Sequence, residues 1–260
     1  MISPLAFVDS KAQIGENVTI HPFAYIDKDV VIGDNCEIMP YASVLAGTTM
    51  GKNNRVFQGA ILGAEPQDFM FKGEATRLQI GDNNYIREYA IINRATTPEG
   101  ETVIGNGNYL LKGARIGHDS RVDDSCILGN DSDIAGNCHI HSCAVLAGRV
   151  IIKDNCRVGS WALVKSGCRS DKDIPPYILA AHNPIKYAGI NAFILRQHNF
   201  SNEAIENIAL AYRQVYSSGT SLENGILRIK EVVSRSPEID YILSFLESAK
   251  GIIDTSGENN

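Results

Sequence analysis

The chain has 260 residues, 44% of them hydrophobic and 21% charged, which is the composition of one large folded domain, or a large domain with a smaller companion. Its formal net charge is −6 with acidic and basic residues interspersed, so the basic stripe that a phosphate backbone requires is missing and nucleic acid is excluded as a partner. The opening MISPLAFVDS has no basic start before an apolar core, and no run approaches the ~20 apolar residues of a membrane span, so the chain reads as cytoplasmic.

From Val8 to Leu62 every sixth residue is Ile, Leu, Val or Met. The phase resumes at Ile80, Ile86 and Ile92, and again from Ile104 to Val164. These types fill 24 of 27 positions, where their share of the chain would fill about seven by chance. The exceptions are Asp68, Glu74 and Pro98. Four residues after each aliphatic stands a smaller residue, such as Ala12, Val18 and Ala24, and later Ala114, Ser120 and Cys126. A period of six with one large and one small inward residue predicts a parallel β-helix over residues 1–185, of a hand the periodicity leaves open. Five of the six cysteines (Cys36, Cys126, Cys138, Cys156, Cys168) take the small inward position as compact apolar fillers, and read as reduced thiols. Cys143 is out of phase. In the segment CHIHSC, Cys138 points inward while His139 and His141 project elsewhere, so no metal site is read there.

The two gaps in the phase predict loops near 63–79 and 94–102. The first carries Gln67, Asp68, Phe69, Met70 and Phe71 and reads as a contact surface; the second reads as no more than a turn. After Pro175 and Pro176 the hexads end, and a helical domain is predicted over 186–253. Ser201 is an N-cap before Ile205, Ile208, Ala209, Tyr212, Val215 and Tyr216, with Gly219 as a stop. A second helix follows Ser221, with Ile226, Ile229, Val232 and Val233 on one side. Ser236 and Pro237 open a third. Residues 254–260 are expected to be a disordered tail.

Among the histidines, stacking singles out His118. With three hexads to a coil, as the family resemblance given below implies, the residue above His118 is Gly136 and the residue above Asp119 is Asn137. A histidine beside a glycine N–H on the neighbouring coil pairs a general base with an oxyanion donor, and Asp119 can hold the imidazole tautomer. The simplest chemistry for such parts is direct attack of a substrate hydroxyl on an activated acyl group.

These segments carry a resemblance. IGHD at Ile116–Asp119, IAG at Ile134–Gly136, PQDFMFKGE with its Gln67–Asp68 pair, IRE at Ile86–Glu88, DIPPY, GIN ending at Asn191 and a three-helix tail resemble the UDP-N-acetylglucosamine O-acyltransferases, hexapeptide-repeat enzymes that begin lipid A synthesis. The resemblance runs from Met1 to about Ile253. It implies a left-handed helix with three hexads per coil, a homotrimer with its site between two subunits, and no cofactor or metal. It also implies that His118 deprotonates the sugar 3-hydroxyl as it attacks the phosphopantetheine thioester of a 3-hydroxyacyl acyl carrier protein, with Gly136 N–H on the oxyanion. Gln67, Asp68, Asn137, Asn191, Arg196 and His198 fall at substrate-binding positions.

Some positions depart from that pattern. Met70 stands at a lysine, Arg115, Asn137 and Lys153 stand at histidines, and Gln197 and His198 stand at an arginine pair. Fewer cations therefore surround a diphosphate. This leaves open acylation of a different nucleotide sugar with an acyl-CoA donor, or a non-catalytic trimeric binding protein. Lys153, Arg157, Lys165, Arg169 and Arg196 are candidates for docking an acidic carrier protein.

Overall fold

The computed structural model describes residues 1–217 and 219–255. Short strands stack into three parallel sheets, and successive strands belong to successive sheets, so the chain winds round a triangular prism. The first face runs from Phe7–Val8 to Arg169–Ser170, the second from Gln13–Ile14 to Arg157–Val158, and the third from Thr19–Ile20 to Leu163–Val164. Each strand pairs with the one a coil away, as Tyr25 with Ser43, Arg115 with Asp133 and Arg121 with His139. The winding is left-handed. It can run against the usual sense of parallel crossovers because the connections here are tight turns between very short strands, with no helix packing back on the sheet.

Inward side chains fill the prism. Ile26, Val44, Leu62, Ile92, Ile116 and Ile134 are fully buried, each contributing about 1.5–3 kcal/mol. Val8 and Ile14, at the open first coil, are only partly buried. Three residues after most of these aliphatics the chain turns a corner through a left-handed residue. Asn17, Asp29, Asn35 and Asn53 sit at φ of 55 to 58°, a region their short polar side chains tolerate. Phe23 and Tyr41 adopt the same conformation at φ of 64 and 63°, and their rings stack at 5.3 Å on one corner.

Between the second and third faces the small inward position becomes asparagine. Asn84 donates to Asn54 Oδ1 at 3.0 Å and to Gly105 O at 2.9 Å, and its own Oδ1 accepts from Asn108 N at 2.8 Å. Asn108 Oδ1 in turn accepts from Cys126 N at 2.7 Å. This buried ladder satisfies corner N–H groups that the strand hydrogen bonds leave over. All six cysteines are free. Burial pushes the Cys126 and Cys138 thiols up to about 12, so they serve as packing rather than nucleophiles.

The third face continues through Ile178–Ala181 into the antiparallel Lys186–Ile190, and helices follow. They are α1 (Ala192–Gln197), α2 (Asn202–Val215), α3 (Leu222–Val232) and α4 (Pro237–Glu247). Ser201, Ser221 and Ser236 cap α2, α3 and α4, each accepting a backbone N–H three residues on. The short α1 carried no periodic signal in the sequence. On α3 the buried positions are Gly225 and Ile229, while Val232 is exposed. A Cβ at Gly225 would lie 3.0 Å from Val215 Cα, so the glycine lets α3 cross close over α2. Tyr212, fully buried on α2, donates to Pro176 O at 2.6 Å and ties the helices to the prism. The expected disorder from residue 254 does not hold at its start: Asp254–Thr255 is a strand pairing with Lys186–Ile190, and Lys172 Nζ lies 3.0 Å from the Asp254 carboxylate. Residues 256–260 of that expected tail lie outside the described residues. Among the described residues no helix is long and apolar enough to cross a membrane.

Candidate active site

Everything that interrupts the prism leaves from one corner, between the first and second faces. Ile61 pairs with Ile91 and Ile91 with Arg115, separations of 30 and 24 residues against 18 between Arg115 and Asp133. Both excesses are whole hexads, so two successive coils extend loops while the inward phase survives. The strands shorten the expected loops to residues 65–76 and 94–100. In the next coil up, the same corner carries His118 and Asp119.

His118 Nδ1 lies 2.8 Å from Asp119 Oδ2, and the two side chains are 15% and 16% exposed. Asp119 is the left-handed corner residue, with φ of 57°. The second loop, expected as a mere turn, grips its carboxylate: Thr96 Oγ1 donates to Oδ2 at 2.7 Å and Thr96 N reaches both oxygens at 3.2 Å. Asp119 N donates to Thr102 Oγ1 at 2.9 Å. An ionised Asp119 held this way accepts Nδ1–H and leaves the Nε2 lone pair facing outward. Asp68 Oδ2, from the first loop, lies 3.9 Å from that Nε2.

The first loop is tied down by Arg115 and by two residues the sequence did not single out, Asn93 and Arg94. Arg115 donates to Gln67 Oε1 at 3.0 Å, Asn93 to Glu65 O at 2.6 Å, and Arg94 to Gly63 O at 3.0 Å while lying over the Phe71 ring at 5.5 Å. Phe69 and Met70 at its tip are exposed.

One coil above, Gly136 lies flat against the imidazole. A Cβ there would stand 2.5 Å from His118 Cε1 and 2.6 Å from Nε2, so a glycine is needed for the ring to sit where it does. Asn137 N donates to His118 O at 2.9 Å, and its side chain is exposed. Gly136 N–H, read from the sequence as a ready oxyanion donor, is already engaged: it donates to Asp154 Oδ1 at 3.0 Å. The cause is a recurring device of the fold, in which a carboxylate bends down onto the corner N–H one coil below, as Asp34 does on Glu16 and Asp124 on Asn106.

His118, Asp119, Gly136, Gln67 and Asp68 thus converge. Asn191, Arg196 and His198 do not join them within one chain. Asn191 is buried and donates to Trp161 O at 3.0 Å, His198 packs on the Trp161 ring at 4.5 Å, and Arg196 is exposed on α1. Trp161 turns the corner between the second and third faces, so this group sits on the far edge of the second face from His118. Arg157, expected as a docking cation, is committed to the joint with the helices: it pairs with Asp173 at 2.7 Å and lies over Phe245 at 4.3 Å.

Comparison with known proteins bears on this geometry. Residues 173–253 match the family model for domain 2 of the UDP-N-acetylglucosamine O-acyltransferases, and residues 11–38 match the bacterial transferase hexapeptide. The chain is 38% identical to the acyl-[acyl-carrier-protein]--UDP-N-acetylglucosamine O-acyltransferase of Pseudomonas entomophila, over 96% of this chain and 98% of that one. The enzyme of the same name from Pseudomonas aeruginosa is 39% identical, over 96% and 97%. A UDP-N-acetylglucosamine acyltransferase from Bacteroides fragilis superposes with a TM-score of 0.95 at 47% identity, over 97% and 99% of the two chains. That of Acinetobacter baumannii superposes with a TM-score of 0.94 at 32% identity, over 97% and 99%. The chain belongs to the UDP-N-acetylglucosamine O-acyltransferase family.

Proposed function

We infer that the chain transfers a 3-hydroxyacyl group from the phosphopantetheine thioester of acyl carrier protein to the 3-hydroxyl of UDP-N-acetylglucosamine, the first step of lipid A synthesis. The observation that carries the reading is the His118–Asp119 pair at 2.8 Å beneath a glycine that no side chain can replace without moving the ring. Nε2 of His118 takes the hydroxyl proton as the sugar oxygen attacks the thioester carbon, and Asp119 stabilises the imidazolium. Collapse of the tetrahedral intermediate breaks the C–S bond, and the imidazolium returns the proton to the departing thiolate. Gly136 N–H serves the oxyanion once the carbonyl oxygen displaces the Asp154 carboxylate from it. Gln67 and Asp68 orient the sugar from the first loop.

The binding residues at Trp161 complete the site from a neighbouring subunit of a homotrimer in the cytoplasm. Two features support this: Asn191, Arg196 and His198 are remote from His118 in their own chain, and the outer faces carry stacked aromatic pairs, Phe7 on Tyr25 at 4.9 Å and Tyr85 on Tyr109 at 5.0 Å. The reaction as written calls on no metal or cofactor. The test is transfer of a labelled 3-hydroxyacyl group from acyl carrier protein to UDP-N-acetylglucosamine. His118→Ala should lower kcat by about 10²–10⁴-fold with the trimer intact. Wild-type protein that transfers no acyl group of any length would refute the assignment. Mixed trimers of His118→Ala and His198→Ala chains should recover more activity than either alone; failure to do so would refute the shared site.

A further inference from the structure

Away from this corner, the outer surface of the second face carries a cluster that the acyl transfer does not use. Asp123 and His141 occupy equivalent positions on successive coils, just after Val122 and Ile140, and His139 projects outward between Arg121 and Arg157. His139 Nε2 lies 2.9 Å from Asp123 Oδ2, and the His139 and His141 rings stack at 3.9 Å. One ligand atom from each of the three residues can be chosen so that all lie within 4.8 Å of one another. In the sequence the two histidines were set aside because the cysteines beside them do not converge; the third group comes from 18 residues before His141, which only the coil brings near.

We propose that Asp123, His139 and His141 bind one divalent transition-metal ion of the zinc type, at the seam between the prism and α4. The donor set is two imidazoles and one carboxylate, which suits zinc and its neighbours rather than calcium or magnesium. The carboxylate is oriented from outside: Arg121 Nε holds Asp123 Oδ1 at 2.7 Å and leaves Oδ2 toward the histidines, the second-layer support that metal sites use. An independent observation is His141 Nε2, which is buried without a hydrogen-bond partner. The His141 ring packs against Tyr241 and Phe245 of α4, with ring separations of 6.0 and 5.6 Å, and an ion bound at Nε2 would relieve an orphaned buried nitrogen. Of the two nearby cations, Arg157 is neutralised by Asp173, and Arg121 shares the Asp123 carboxylate. Ligand bonds of about 2.0–2.2 Å set ligand atoms about 3.5 Å apart, so the chosen atoms, now within 4.8 Å of one another, must close by about 1 Å. His139 is one-third exposed, so the remaining position opens to water.

The test uses the full chain stripped with chelator and titrated with Co²⁺, then Zn²⁺ in competition with a chromophoric chelator. Saturable binding of a single Co²⁺ per chain, with the visible bands of a low-coordinate ion, is expected, and Zn²⁺ should displace it. His139→Ala and His141→Gln should each weaken binding at least tenfold, and Arg121→Ala about tenfold, with circular dichroism unchanged. Excess Zn²⁺ should raise the Tm of wild type and not of Asp123→Asn. No saturable binding by wild type, or binding that survives in the His139→Ala, His141→Gln pair, would overturn the proposal. Acyl transfer is not the readout, so this test and that of the enzymatic reading stand apart.

Discussion

Two corners of the prism are built from the same hexad and put its outward groups to different ends. Between the second and third faces, corner N–H groups are met by scaffold: by the inner ladder of Asn54, Asn84 and Asn108, and by the outer carboxamides and carboxylates of Asn106 and Asp124. Between the first and second faces the inner position is Thr102, Ser120 and Cys138, and the outer positions carry loops, His118, Asp119 and Gly136. What separates chemistry from scaffold is therefore not the backbone, which turns the same way in both, but which corner is spared the asparagine ladder and given insertions of whole hexads.

The sharpest way to break this contrast is Gly136→Ala. The new Cβ would meet His118 Cε1 at 2.5 Å, so the imidazole must leave its position. A drop in kcat of about 10²–10³-fold is expected with little change in urea midpoint. A loss of stability matching the loss of activity would instead make this corner scaffold too. At the other corner the effects reverse. Asn84→Ala strands the buried Asn108 N–H and takes the side-chain amide from Gly105 O, and should cost about 2 kcal/mol in urea unfolding, with kcat unchanged once folded.

How much of this was legible in the sequence follows from which features repeat. The hexad, with its inward aliphatic and its small inward position, recurs every six residues, so Ile26 or Cys126 could be read as buried without coordinates. His118 beneath Gly136 was legible because their separation is one coil. Contacts made once leave no period: Thr96 reaches Asp119 from a loop of irregular backbone, and the strand at Asp254–Thr255 depends on where the helices end. The Asp154 contact is a different case. It follows the period, but the same spacing that marked Gly136 as a donor also supplies its acceptor, and the sequence reading followed only the first.

Thr96→Val removes the hydroxyl on Asp119 Oδ2 and keeps the backbone donor. One hydrogen bond of about 1 kcal/mol to a group acting through His118 should lower kcat about fivefold and leave KM unchanged. An unchanged kcat would return the second loop to the simple turn expected from the sequence.

The smallest effect separates the two uses of one hydrogen bond. In the scaffold corner, removing a carboxylate from the N–H below it, as in Asp124→Ala above Asn106, should only weaken the fold. At Asp154 the same bond competes with the proposed oxyanion for Gly136 N–H. The thioester carbonyl must break it before the transition state, so Asp154→Ala removes that cost while also removing a cap. Stability should fall by about 0.5–1 kcal/mol and kcat/KM should rise by a few fold, a sign that no purely structural role gives. The rise should persist in Asp154→Ser, whose shorter side chain carries no charge to hold the N–H. If both variants instead lose activity in step with stability, Gly136 N–H is a scaffold donor and the oxyanion is met by another group.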